Sequence, residues 1–110
     1  MRFSGRHEEE WLSEFDQYIL ENLGESRLSV DSIAAHFDIS RRQFYRIVKS
    51  LTNQTPHNYL NQIRFNKALE YLENGTFRTV AETAKAVGFA DTVYFARKFR
   101  ERFGVLPSEV

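Results

Sequence analysis

The chain has 110 residues with 15 basic and 15 acidic side chains and no cysteine. It therefore reads as one domain, or two small subdomains sharing a core, without a disulfide framework, a thiolate metal site or a cysteine nucleophile. No apolar run approaches the roughly 20 residues of a membrane span and no signal peptide opens the chain, so a cytoplasmic protein without membrane contact is expected.

The zero net charge conceals an asymmetry. Residues 1–38 carry nine acidic and three basic side chains, a balance of −6, and residues 39–110 carry six acidic and twelve basic ones, a balance of +6. An acidic front thus precedes a basic body.

Residues 1–7 read as a tail or linker. From Glu8 to Leu23, Trp11, Phe15, Tyr18, Ile19 and Leu23 recur at helical spacing, and Gly24 closes the run. A short second helix spans Ser29 to Phe37, with Ser29 as cap and Val30, Ile33, Ala34 and Phe37 inward. After the tight Asp38-Ile39 connection, Ser40 and Gln43 form a capping box that opens a third helix. There Phe44, Ile47, Val48 and Leu51 face inward, while Arg42, Tyr45, Arg46 and Lys49 repeat the same spacing on the opposite side. No acidic residue occurs between Ser40 and Thr52, a bias that a merely solvated face, which mixes signs, does not need.

Asn53 suits the left-handed conformation that ends this helix, and Thr55-Pro56 starts another that runs to about Asn74. Its apolar residues cover more than one face, which predicts a buried strut between two units. Thr79 and Glu82 box the start of a fifth helix that ends at Val87-Gly88. A sixth follows, capped by Asp91, with Phe95, Phe99 and Phe103 as one stripe and Val93, Ala96, Arg97 and Arg100 facing away. Taken alone, that second face suits either a DNA groove or water. Pro107 can start a seventh helix. No period-two pattern appears, so the fold class is all-α.

The two ends of the long helix look alike. Ser29-Val30, Ala34 and Phe37 match Thr79-Val80, Ala84 and Val87 at an offset of 50, and Phe44, Arg46, Val48, Asn53 and Pro56 match Phe95, Arg97, Phe99, Gly104 and Pro107 at an offset of 51. Each copy is a short helix, a tight turn and a longer helix with a basic outer face, the helix-turn-helix layout.

Val87-Gly88-Phe89, Tyr94-Phe95, Arg97, Phe99 and Gly104 followed by Pro107 resemble the signature of the AraC/XylS family of transcription regulators. The resemblance covers about residues 8–110 and extends to Ile33-Ala34, Ser40-Arg41 and Arg64-Phe65-Asn66-Lys67-Ala68. It implies about seven helices in two helix-turn-helix subdomains, near 29–52 and 79–103, joined by a linker helix near 55–74. Leu106 stands where the family usually has threonine, which weakens the last cap, so a short final helix is expected.

The resemblance further implies sequence-specific binding of double-stranded DNA, with recognition helices in successive major grooves roughly 34 Å apart. By family position, Arg42, Tyr45 and Arg46 point at base edges in the first unit, and Thr92, Val93, Ala96 and Arg97 in the second. Arginine can present a bidentate fork to guanine. Tyr45 suits DNA contact or packing at the helix edge. Val93 and Ala96 suit thymine methyls or close approach of the backbone. Arg41, Lys49, Lys98 and Arg100 are the expected phosphate contacts.

An enzyme is not expected: His7, His36 and His57 are scattered without metal-ligand spacing, and there is no glycine-rich phosphate loop. No cofactor is expected. Expected partners, besides DNA, are RNA polymerase and an upstream sensor or signalling domain of a longer chain, since this form resembles copies attached to two-component signalling proteins. The alternative is a protein-docking module whose acidic first helix, with Trp11 and Phe15, contacts a partner domain or polymerase.

Overall fold

The computed structural model describes residues 7–110. The expected tail thus lies outside the described residues, apart from His7, whose backbone N–H donates to the Glu10 carboxylate at 3.0 Å. Six helices follow: α1 (Glu8–Glu21), α2 (Val30–His36), α3 (Arg41–Thr52), α4 (Pro56–Asn74), α5 (Val80–Ala86) and α6 (Thr92–Phe103). A single 3-10 turn, Pro107–Glu109, ends the chain. No strand occurs among the described residues. The chain forms two compact units, the first ending at Ile63 and the second running from Arg64 to Val110, so the division falls inside α4.

In the first unit α1 packs on α2 and α3. Trp11, Phe15 and Ile19 of α1 meet Ile33, Phe37, Phe44, Ile47 and Val48, all buried. The rings interlock edge to face: Phe15 lies 4.9 Å from Phe44 and 5.0 Å from Phe37, centroid to centroid. Such pairs add about 0.5–1.5 kcal/mol to the burial of the rings themselves.

The second unit is built the same way on α5 and α6. Phe95 and Phe99 are fully buried, and Phe65 from α4 stacks on Phe95 at 5.7 Å. Arg102 lays its guanidinium over Phe65 at 5.2 Å. The ends of the predicted stripes are less enclosed. Val30, Leu51 and Phe103 are half-exposed, because the first and last turns of a stripe lie at the rim of a core this small. α4 is also less buried than a strut would be: Tyr59, Leu60, Phe65 and Ala68 are buried, but Ile63, Leu69, Tyr71 and Leu72 only half so.

The two units share the bond that closes the turn, although the second turn is one residue longer. The Ile39 N–H donates to the Ala34 carbonyl at 3.1 Å, and the Phe89 N–H to the Ala84 carbonyl at 2.8 Å. Between helices the chain passes through the left-handed region, at Asp38 (φ 58°) and Gly88 (φ 100°). Asn53 (φ 58°) and Gly104 (φ 81°) then end α3 and α6 in the same conformation. The boxes Ser29–Ser32 and Thr79–Glu82 at the starts of α2 and α5 close with all four bonds between 2.8 and 3.0 Å, whereas α3 opens on the Ser40–Gln43 box and α6 on a single cap bond from the Tyr94 N–H to the Asp91 carboxylate. At the C-terminus, where Leu106 offers no capping oxygen, the Glu109 carboxylate accepts from the Leu106 N–H at 2.7 Å. One 3-10 turn is all that follows, the short final helix expected.

A half-buried polar contact ties α4 to α1 in the first unit: the Tyr59 hydroxyl donates to the Asp16 carboxylate. Burial raises the Asp16 carboxyl above its ordinary value of 3.8. The native state therefore holds this proton more tightly than the unfolded chain. Its contribution to stability is fullest below the ordinary carboxylate range and is lost as pH rises through the raised native value. Asp16→Asn keeps an acceptor for Tyr59 and removes the half-buried charge. Urea unfolding at neutral pH is expected to show a higher midpoint for the variant, and the gap to the parent closes on acidification. Parallel stability–pH profiles for the two proteins would refute burial of the charge as the cause.

Candidate nucleic-acid interface

Burial of Phe44, Ile47 and Val48 leaves α3 one outward direction. Arg42, Tyr45, Arg46 and Lys49 occupy it, and all four are exposed. In α6, burial of Phe95 and Phe99 likewise turns out Val93, Ala96, Arg97 and Arg100, with Val93 80% exposed. The rows correspond one to one at the offset of 51: Arg42 with Val93, Tyr45 with Ala96, Arg46 with Arg97, and Lys49 with Arg100. Each unit thus presents one reading row on its second helix. The C-terminal half of each row is basic, and the N-terminal half differs between them.

A groove lies over each row. In the first unit a hollow of about 540 Å³ is lined by Arg41, Arg42 and Tyr45 of α3, Asp31 of α2, and Thr55 and His57 ahead of and within α4. Tyr45 is 47% exposed, with half of its side chain available on this face. In the second unit a groove of about 650 Å³ runs along Thr92, Val93, Ala96, Arg97 and Arg100, with Glu101 and Leu106 at its margin. All four base-contact candidates of the second unit share that groove. Of the three in the first unit, Arg42 and Tyr45 line its hollow, and Arg46 lies one turn further along the same row.

Neighbouring side chains condition several of the basic residues. Asp31 pairs with Arg41 at 2.7 Å, both side chains well exposed. Tyr94 lies beneath the Arg97 guanidinium at 5.6 Å and the Lys98 ammonium at 5.8 Å, which holds both cations by their attraction to the ring face. Lys98 also meets Glu101 at 3.4 Å, and it lies beside the α6 row rather than in it.

The glutamates of α1 lie on the other side of the first unit. α1 buries Trp11, Phe15 and Ile19 toward the core that α3 shares, so Glu9, Glu14 and Glu21 are exposed away from the α3 row. A unit charged this way has a dipole that turns its basic face toward a polyanion.

A family model described as a helix-turn-helix domain matches residues 33–110. A transcriptional regulator of Chromobacterium violaceum, described as AraC-type, superposes with a TM-score of 0.80 at 30% identity, over 89% of this chain and 86% of that one. The chain belongs to the AraC-type helix-turn-helix family. Such domains are the DNA-binding modules of transcription regulators, and this chain is one.

The DNA-binding domain of the global transcriptional factor AdpA, solved with a target DNA, is 34% identical, with a TM-score of 0.78 over 89% of this chain and 86% of that one. The C-terminal domain of the response regulator AraT from Geobacillus stearothermophilus is 28% identical, with a TM-score of 0.75 over 88% and 79%. The transcriptional regulator ArgR of Pseudomonas aeruginosa is 35% identical over 85 residues, which make up 77% of this chain and 26% of ArgR. This AraC-type chain therefore spans about a quarter of that relative's length.

The Asp31–Arg41 pair generates a prediction. An exposed pair is worth about 0.2–1 kcal/mol, and Arg41 must leave Asp31 to take a phosphate. Asp31→Asn is expected to raise affinity for duplex DNA between about 1.5- and 5-fold, measured by fluorescence anisotropy at low salt. An unchanged or weaker affinity would show that Arg41 stays clear of the backbone.

Proposed function

We propose that this chain binds double-stranded DNA in a sequence-specific manner, placing α3 and α6 in successive major grooves to control transcription. The observation that carries the reading is the pair of corresponding outward-facing rows on the second helices of two copied helix-turn-helix units. The DNA complex of AdpA supports it. Arg42, Tyr45, Arg46, Thr92, Val93, Ala96 and Arg97 reach base edges, and Arg41, Lys49, Lys98 and Arg100 take phosphates. Arg42, Arg46 and Arg97 are the candidates for bidentate contact with guanine, each good pair contributing about 1–3 kcal/mol of discrimination. The fit to the AraT domain favours attachment to an upstream signalling domain in a longer cytoplasmic protein.

With about six phosphate contacts, log affinity is expected to fall with log salt at a slope near −5. Selection of sites from a random duplex pool tests the two-unit arrangement. Arg46→Ala relaxes base preference in one half-site and Arg97→Ala in the other, about one helical turn away. Identical selected motifs for both variants and the parent would refute these roles, and absence of duplex binding at low salt would refute the function.

A second reading, docking of a partner such as RNA polymerase through α1, is supported by its exposed acidic face and by Leu20, 47% exposed among those charges. The two readings are compatible, since the faces are opposite. Reversing Glu9, Glu14 and Glu21 to lysine is expected to lower transcription in a reconstituted assay while leaving duplex binding at least as tight as before. Full transcription from the triple variant would exclude a docking role.

A further inference from the structure

The two reading rows differ where it matters most for base recognition. The N-terminal residues of a recognition helix reach deepest toward base edges. In α3 those positions hold Arg42 and Tyr45, both able to donate hydrogen bonds. In α6 the corresponding positions hold Val93 and Ala96, which can neither donate nor accept, and the hydroxyl at this end of the groove belongs to Thr92, one residue before the row. Val93 is nevertheless 80% exposed, more than any other large hydrophobic side chain among the described residues. It lies with Ala96 in the 650 Å³ groove, whose margins carry Arg97, Arg100 and the aliphatic Leu106. Glu101 also lines this groove, with its carboxylate drawn to Lys98 at 3.4 Å.

Such a surface selects among bases by exclusion. Pressed against guanine, adenine or cytosine, Val93 and Ala96 desolvate an N7, an O6 or an exocyclic amine without giving it a partner, which is costly. Thymine alone offers an apolar group in the major groove, its C5-methyl. The arginines along the same groove match the charge of a DNA backbone, which favours a duplex as its occupant over the apolar helix of another protein. We propose that the second unit reads thymine through its C5-methyl, with Val93 and Ala96 as the contact surface, and that the first unit supplies most of the hydrogen-bonded readout. The inference rests on the DNA-binding function proposed above and adds the base class that α6 recognises.

Replacing thymine by deoxyuridine removes that methyl and keeps every hydrogen-bonding group. The 110-residue chain is titrated against its selected duplex and against a series in which each thymine in turn is deoxyuridine. One or more thymines in a single half-site are expected to lose about fourfold in affinity, the value of one buried methyl group. With Val93→Ala, the thymine-to-deoxyuridine ratio at those positions falls toward one, while thymines elsewhere behave as in the parent. Val93 supports no core, so the variant folds, and unchanged helicity by circular dichroism verifies this.

Insensitivity of every thymine to demethylation overturns the inference, as does a ratio that Val93→Ala leaves intact. Both results preserve the DNA-binding function, because salt-dependent affinity for the parent duplex persists. Loss of that affinity in the parent itself refutes both.

Discussion

Everything outward on this protein depends on what its second helices hide. A helix that buries residues at i, i+3 and i+4 has only one opposite face to offer, and the helical period decides which residues lie on it. Phe44, Ile47 and Val48 sit at zero exposure in α3, and Phe95 and Phe99 do so in α6. Truncating a fully buried phenylalanine costs about 3–5 kcal/mol, a large part of the 5–15 kcal/mol that holds a typical domain folded. Neither helix can therefore rotate to offer another row without losing its core. The reading faces are rigid because the rings behind them are packed.

The same constraint explains why a protein of zero net charge can serve as a DNA-binding module. Charge matters by position, not by sum. In the first unit the shared core between α1 and α3 keeps the glutamates of one helix and the arginines of the other on opposite sides, so the acidic residues add little repulsion at the reading face. Asp31 is the exception, close enough to hold Arg41 at 2.7 Å. It makes the free state compete with the phosphate backbone for that side chain. An exposed pair tunes affinity by only a modest factor, which suits a regulator that must also leave its site.

Duplication of the unit preserves geometry more strictly than chemistry. The turn bonds, the left-handed residues and the capping boxes recur, because each is needed to bring a short helix and a longer one together at the right angle. The side chains on the reading rows answer to no such requirement. Arg42 and Tyr45 become Val93 and Ala96 on second helices of the same length, 12 residues each, so two copies of one frame can read different bases.

The helices, their caps and both buried stripes were legible in the sequence, because each rests on a local rule: apolar spacing, a capping box, a residue suited to the left-handed region. So was the repeat, and with it the identity of the outward rows. The groove beside each row and the Asp31–Arg41 pair were not. They join residues through the packing of one helix on another or through a choice of rotamer, and spacing carries no information about either. α4 shows the limit from the other side. Its several apolar faces suggested full burial, yet Ile63, Leu69, Tyr71 and Leu72 are only half covered, since an apolar face is buried only where a neighbour is present to cover it. The sequence by itself determined which residues face outward, because periodicity alone sets that. Tertiary structure alone decided what stands beside them, because contacts between helices depend on packing.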